Sequence, residues 1–201
     1  MKSEEIKLQN YILNLREDIK ICGAQQILKE FHKKLNVSYK EASKTFGISE
    51  SFYRQCVKNK NVPIWMLKKI NKYNPELVNK IYQSNVYFTA RNEKDRLPKS
   101  IDRPLSYILG YLDGDGHLDK NEKRISFCDE SEMQLINIKG LIGKIFSCIG
   151  SIDSFRSKFS TKPCYRLLVR RVTISSFINK VFNRKFGAKR GLKINKILLT
   201  N

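Results

Sequence analysis

Two aspartates at the end of an apolar run are the residues of this sequence best suited to hold a metal ion. Asp113 and Asp115 alternate with Gly114 and Gly116 directly after residues 108–112, which are largely apolar. If the run is a helix, Asp115 projects just past its end, and Gly116 allows the chain to turn into a strand. Hard divalent cations bind carboxylate, carbonyl and water oxygens. This end of the helix is therefore a candidate cation site.

Two glycines in the same run favour close packing of a second helix. Gly110 and Gly114 lie four residues apart, about one helical turn or ~6 Å of rise, so they share one face. Without Cβ atoms on that face, another helix backbone can approach closely. The helix is a candidate for contact with a second copy of the chain.

The periodicity of apolar residues predicts the elements that position these residues. Helical and alternating patterns follow one another, with turn residues between them. They predict a helix (104–114), a hairpin (116–128), a helix (131–148), a hairpin (150–172), a helix (173–187) and a short helical tail. This order is αββαββα, and the helices must cover one side of such a sheet.

The run 108–116, taken with this element order, resembles the motif that names the LAGLIDADG homing endonucleases. Seven of nine motif positions fit by identity or a common replacement, and the resemblance extends over about residues 103–199. Leu109 stands where the family has Ala, and Tyr111 where it has Leu. A Leu109 directed at a second helix would hold the two helices apart.

The resemblance implies a metal-dependent nuclease site shared by two chains. In the family, two such helices pack side by side and bring their terminal aspartates to the floor of a DNA-binding saddle. Asp115 would then be the catalytic metal ligand and Gly114 a carbonyl ligand, for Mg²⁺ or Mn²⁺. Ile108, Gly110 and Gly114 would contact the second chain. Because each chain supplies one such Asp, the site requires a homodimer.

Two further catalytic residues follow from the same resemblance. The family places a basic residue near the active centre after the last strand. Here Lys189 is the first candidate, with Lys185 and Lys193 as alternatives. The family often has a polar residue at the end of the second strand, where this sequence has Asp129. Asp129 is also a candidate N-cap for the helix that follows.

Alternation along the strands predicts a DNA-binding face on the side of the sheet away from the helices. Its polar residues are His117, Asp119, Arg124, Ser126, Arg156, Lys158, Arg166 and Arg170. The side chains predicted to face the helices are Phe155, Phe159, Tyr165, Leu167 and Val169. Leu168 falls on the DNA side, and His117 also suits an ordinary strand position.

The first 84 residues carry helical periodicity and are predicted to form an all-α domain. Residues 85–103, which lose periodicity and gain charge, are the predicted linker to the domain at 104–201. The fold class is therefore α+β. An ordinary bundle of capped helices is the alternative for the first domain.

Within the first domain, residues 36–54 resemble the helix-turn-helix of Cro/C1-type repressors. Ser38 and Glu41 form a predicted capping box, Gly47 ends the first helix, and Ser49 caps the second. In that family the second helix lies in the major groove of DNA. The residues expected to face DNA are Glu50, Ser51, Tyr53, Arg54 and Lys58, with Phe52 and Val57 in the core.

The charge of the chain favours a polyanionic partner. Its 39 Lys and Arg outnumber its 19 Asp and Glu, for a formal net charge of +20. A bland basic surface, a ribosomal role or an anionic membrane surface would fit the charge as well. No apolar stretch has the length of a membrane span, and five scattered cysteines do not suggest a disulfide framework. The expectation is a soluble, cytoplasmic protein in a reducing compartment, with double-stranded DNA as partner.

Three functions fit these features. The first is a sequence-specific DNA endonuclease that hydrolyses phosphodiester bonds as a homodimer with a divalent metal. The second is a transcriptional regulator that keeps the fold for DNA binding but does not cleave. The third is a maturase that binds intron RNA. The Asp115 carboxylate in an otherwise intact motif favours the first.

Overall fold

A computed structural model of the chain describes residues 13–58, 61–83, 86–90, 93–156, 163–182 and 184, without the side chains of residues 82 and 83. The chain divides into two compact units between Lys94 and Asp95. We call them the N-terminal and C-terminal units. The described part of the chain is α+β, with eight helices and two antiparallel sheets.

The N-terminal unit combines helices with short strands. Its elements are β1 (Lys20–Cys22), α1 (Gln25–Leu35), α2 (Tyr39–Phe46), α3 (Glu50–Lys58), β2 (Asn61–Pro63), α4 (Ile64–Tyr73), α5 (Pro75–Gln83), β3 (Tyr87–Ala90) and β4 (Glu93–Asp95), which ends at the unit boundary. The strands form one sheet in the order β2-β1-β3-β4.

The prediction of an all-α N-terminal domain is wrong. Ile21 of β1 lies opposite Val62 on one side and Phe88 on the other, and all three side chains are buried. Strands of three or four residues are too short to show a clear alternation in sequence. Their partners lie far along the chain, so the pairing has no local signal. The interval predicted as a linker, 85–103, contains β3, β4 and the boundary between the units.

The C-terminal unit confirms the predicted order αββαββα over its described residues. Its elements are α6 (Arg103–Asp115), β5 (Gly116–Leu118), β6 (Ile125–Asp129), α7 (Glu132–Phe146), β7 (Ser151–Arg156), β8 (Pro163–Val169) and α8 (Val172–Phe182). The predicted helical tail lies outside the described residues.

The four strands of this unit form an antiparallel sheet in the order β5-β6-β8-β7. Phe127 of β6 pairs with Leu167 of β8, which pairs in turn with Ile152 of β7. Phe127 and Leu167 are fully buried, and the Phe127 ring lies 6.0 Å from that of Tyr111 on α6. This side of the sheet therefore faces the helices, and residues one position away face the other side.

The two ends of α6 are set by local contacts. Asp102 caps the helix by accepting a hydrogen bond from the Leu105 N–H at 2.9 Å. At the other end, a Cβ on Gly116 would lie 2.6 Å from the Cα of Leu112. Gly116 is therefore required for close approach to the preceding turn, since its φ of −94° is open to other residues. The chain passes directly from Asp115 into β5.

No helix in the described part of the chain is long and apolar enough to cross a bilayer.

Candidate functional site

Asp115, the last residue of α6, is exposed and lies in a shallow depression of about 540 Å³. The residues lining this depression are Asp115, Cys128, Asp129, Glu130, Phe155 and Cys164. Three carboxylates, from α6, the end of β6 and the turn after it, thus border one depression at this end of the sheet. Carboxylate oxygens are ligands that Mg²⁺ and Mn²⁺ prefer.

Asp129 is held in this depression by two hydrogen bonds. The Tyr111 hydroxyl donates to Asp129 Oδ2, and the Ser131 N–H donates to Oδ1 at 2.7 Å. Burial raises the pKa of Tyr111 well above its ordinary value, and the hydrogen bond to Asp129 and the charge of Asp115 raise it further. Tyr111 therefore remains a proton donor, and the Asp129 carboxylate is oriented from both α6 and the start of α7.

The alternative assignment of Asp129 as the N-cap of α7 is wrong. Ser131 is the N-cap, because its side chain accepts a hydrogen bond from the Gln134 N–H at 3.3 Å. Asp129 instead lies at the end of β6, opposite Tyr165 of β8. Its side chain is thus available to the depression that contains Asp115.

Asp113 has a different role from Asp115. Its carboxylate lies 2.5 Å from Nη2 of Arg184, whose side chain is only 5% exposed. Asn179 of α8 donates a side-chain hydrogen bond to the Arg184 carbonyl at 2.8 Å. Sequence reasoning missed Arg184, although it belongs to the basic stretch that includes the predicted lysines. Through its ion pair with Asp113, Arg184 connects the last turn of α6 to the chain after α8.

The catalytic lysine after the last strand stays a prediction. Lys189 and its alternatives, Lys185 and Lys193, lie outside the described residues. Within the part of the chain that the structure describes, no group of three or more His, Cys, Asp or Glu side chains is close enough to hold a metal ion. The oxygens of Asp115 and of the Gly114 carbonyl fit a hard cation but would supply only part of its coordination shell.

One face of α6 is open to solvent. Gly110 and Gly114 are both exposed, and a Cβ built on either would meet no atom within 4 Å. The assignment of Ile108 to the same face is wrong, because Ile108 is 1% exposed and is therefore buried within the chain. Leu109 is also fully buried, so its bulk does not obstruct the glycine face. Both residues therefore lie on the buried side of α6.

The side of the sheet away from the helices carries polar and charged residues. We call it the polar sheet face; its members are His117, Ser126, Cys128, Ser151, Asp153, Phe155, Cys164, Arg166 and Leu168. Arg166 lies between Cys128 of β6 and Asp153 of β7. Its predicted position on this face is confirmed, as are those of His117, Ser126 and Leu168.

The predicted orientation of β7 is wrong by one residue. Phe155 pairs with Cys164 on the polar sheet face, and Arg156 pairs with Pro163 on the opposite side. Phe155 is apolar and was therefore expected to face the helices. The residues at this end of β7 are all exposed, however, so there is no core for it to enter. Lys158 and Phe159 lie outside the described residues.

The other predicted strand residues lie at the borders of the sheet. Arg124, just before β6, lies 3.2 Å from the carboxylate of Asp119. Arg170 follows β8 and is exposed. Tyr165, Leu167 and Val169 face the helices as predicted. Arg124 is thus paired with a carboxylate on the surface where DNA was expected.

In the N-terminal unit, α2 and α3 are joined by the predicted turn. Ser38 and Glu41 form the capping box, and Gly47 adopts the left-handed conformation with φ of 68°. The Ser49 side chain accepts a hydrogen bond from the Phe52 N–H at 3.3 Å. The three local features that favoured two helices around a tight turn are therefore confirmed.

The predicted orientation of α3 is partly wrong. Tyr53 is fully buried, and its ring stacks on Phe46 at 5.5 Å, so it cannot face DNA. Phe52 is 37% exposed rather than in the core, while Val57 is buried as predicted. Which of the adjacent residues Phe52 and Tyr53 is buried depends on contacts with distant elements. One such contact joins the Tyr53 hydroxyl and His32 Nδ1 at 3.5 Å.

The exposed side of α3 carries the other predicted residues. A shallow depression of about 520 Å³ is lined by Glu50, Ser51, Arg54, Gln55 and Lys58. Arg54 forms an ion pair with Glu50 at 2.6 Å, and its guanidinium lies 4.3 Å from the centre of the Tyr39 ring. Gln55 was missed, although it follows from helical spacing once Tyr53 is known to be buried.

No protein-family model and no curated protein matches the chain.

Proposed function

We propose that this chain is a homodimeric endonuclease that resembles the LAGLIDADG homing endonucleases. It would bind a specific double-stranded DNA sequence and hydrolyse its phosphodiester bonds with Mg²⁺ or Mn²⁺. The observation that carries the proposal is the position of Asp115. Its exposed carboxylate ends α6 and shares a depression with Asp129 and with residues of the polar sheet face. A carboxylate suited to bind a metal would therefore adjoin the surface that we propose meets the DNA duplex.

A second copy would complete the metal site. Each chain would contribute the Asp115 carboxylate and the Gly114 carbonyl, and the DNA phosphates would supply further oxygens. The open space around Gly110 and Gly114 supports this arrangement, because two α6 helices could approach each other along that face. The burial of Leu109 supports it as well, since no bulky side chain intervenes from that position.

A bound divalent ion would supply an activated water and neutralise charge on the leaving 3′ oxygen. The protein would hold the ion and orient the groups around the scissile phosphate. Asp115 would bind the ion directly through a carboxylate oxygen. Asp129, fixed by Tyr111 and the Ser131 N–H, would accept a hydrogen bond from a water molecule beside the scissile phosphate. The described residues would not need to form a covalent bond with the DNA.

The DNA contacts would come from two surfaces. Strand residues such as His117, Ser126 and Arg166 would meet one part of the duplex from the polar sheet face. In the N-terminal unit, Ser51, Arg54 and Lys58 on the exposed side of α3 would contact another, as in a helix-turn-helix. The net charge of +20 supports contact with a polyanion.

Selection from a random duplex library tests this proposal. We expect the wild-type protein to enrich one roughly palindromic sequence by binding, and the same sequence by cleavage when Mg²⁺ is present. Enrichment by binding without cleavage would favour the non-cleaving regulator. Stronger binding to an intron RNA than to any duplex would favour the maturase. The absence of any enriched duplex would contradict both DNA-based functions.

A further inference from the structure

Arg166 on the polar sheet face is held by two neighbours on β7, Asp153 and Phe155. Its Nε and Nη2 donate to the two carboxylate oxygens of Asp153 at 3.2 and 2.6 Å. Its Cζ lies 5.6 Å from the centre of the Phe155 ring. Asp153 lies directly opposite Arg166 in the register of β7 and β8. The arginine is therefore oriented before any ligand binds.

The pair with Asp153 uses only one edge of the guanidinium. A planar guanidinium has five N–H donors, and a side-on pair through Nε and Nη2 occupies one side of the fork. The edge formed by Nη1 and the outer N–H of Nη2 points away from Asp153. The side chains of Arg166 and Asp153 are 41% and 44% exposed, so this second edge can reach a ligand on the polar sheet face.

The chemistry of the pair selects a neutral ligand over a phosphate. The hydrogen bond from Arg166 lowers the pKa of Asp153, so this carboxylate is charged at neutral pH. A phosphate beside Arg166 would be repelled by that charge. A guanine base instead presents two neutral acceptors, O6 and N7, which match two parallel N–H donors.

We infer that Arg166 recognises a guanine of the DNA site, with Asp153 and Phe155 holding its guanidinium in the reading orientation. The inference rests on the proposed DNA binding and adds the base that one side chain reads. Arg170, just beyond β8, provides the contrast. It is exposed and forms no salt bridge among the described residues, and its charge makes only the smallest contribution to lowering the pKa of Asp153, which suits a phosphate contact.

The test uses the sequence selected by the wild-type protein, with each guanine replaced in turn by 7-deazaguanine, which lacks N7. At one position in each half-site, we expect the replacement to weaken wild-type binding by about 10-fold. For Arg166→Met, which keeps much of the side-chain length but has no N–H donor, the same replacement should have little effect. Asp153→Asn should bind unselected DNA more tightly and discriminate less at this guanine.

Arg170→Ala is the matched control. It should weaken binding to all sequences and keep the full response to 7-deazaguanine. The inference is overturned if Arg166→Met keeps that response at every guanine. It is also overturned if Arg166→Ala weakens binding to all sequences equally and reduces the salt slope by about one, as a phosphate contact would. Neither result would contradict specific DNA binding by the wild-type protein. A wild-type protein that binds no duplex would instead contradict the proposed function itself.

Discussion

The Tyr111 hydroxyl donates a hydrogen bond to the Asp129 carboxylate. Tyr111 lies one helical turn before Asp115, so α6 carries one carboxylate of the depression and orients another. Tyr111 is a departure from the resembled motif, which has an aliphatic residue there. An aliphatic side chain could not form this hydrogen bond. The hydrogen bond links α6 to the end of β6 at the point where the depression forms.

Removal of this hydroxyl is expected to affect cleavage more than DNA binding. Tyr111→Phe keeps the ring but leaves Asp129 with only the Ser131 N–H of its two partners. We expect the cleavage rate to fall by roughly 10-fold, as for loss of a hydrogen-bond partner that orients a group beside a metal site, while the Kd for the DNA site measured without metal stays the same. Single-turnover cleavage and fluorescence anisotropy measure the two quantities.

Tyr73→Phe is the control for the loss of a tyrosine hydroxyl, since Tyr73 is 66% exposed in the N-terminal unit. It should change neither quantity. An equal loss of DNA affinity and cleavage in Tyr111→Phe would indicate that the hydroxyl supports the fold rather than the site.

A bulky residue at Gly110 is expected to prevent dimerisation without unfolding the chain. A side chain at this position meets open space in one protomer, so Gly110→Leu should fold at least as stably as the wild type. Two α6 helices could no longer approach closely, and the variant should sediment as a monomer in analytical ultracentrifugation.

Gly140→Leu is the matched control, because Gly140 is an exposed glycine of α7 that also has no neighbour within 4 Å of a Cβ. This variant should remain dimeric. A Gly110→Leu protein with the dimer constant of the wild type would exclude α6 as the contact between the two chains.

The burial of Tyr53 should make the N-terminal unit sensitive to alkaline pH. Burial raises the pKa of Tyr53 to about 12, above its ordinary value of 10.0. Between these two values the unfolded chain loses the phenol proton that the folded chain retains. The free energy of unfolding therefore falls as pH rises from 10 toward 12.

Tyr53→Phe lacks this proton, so its stability relative to the wild type should improve across that pH range. At pH 7 the variant should be slightly less stable, by about 0.5–1 kcal/mol, because it loses the hydrogen bond to His32. Urea denaturation at pH 7, 10 and 11 measures both effects. A constant difference between the two proteins at all three values would contradict the assignment.

Local signals predicted the C-terminal unit, whereas the sheet of the N-terminal unit had none. The order αββαββα follows from changes of period within short windows, and the capping residues Ser38 and Gly47 act on their own helices. By contrast, β1 is three residues long and pairs with strands about 40 and 65 residues away. Such pairing depends on tertiary contacts that periodicity does not report.

Only part of the candidate site could be predicted, again because only local features leave a signal in the sequence. A motif indicated Asp115, and alternation placed Arg166 on the polar sheet face. The orientation of Phe155 depended on whether a core lies beneath the end of β7. The partners Asp153 and Arg184 were missed, since an ion pair between distant residues leaves no pattern in the sequence.

Cleavage by the wild type and by Asp115→Asn tests the central claim most directly. Asparagine keeps the size of the side chain but removes the charge that would bind the metal. On the selected DNA site with Mg²⁺, we expect the wild type to cut both strands. We expect Asp115→Asn to bind the site with similar affinity and to cut at least about 100-fold more slowly, as for loss of a metal-dependent step. A wild-type protein that binds the site but cleaves no DNA, or an Asp115→Asn variant that cleaves at the wild-type rate, would contradict the proposed nuclease.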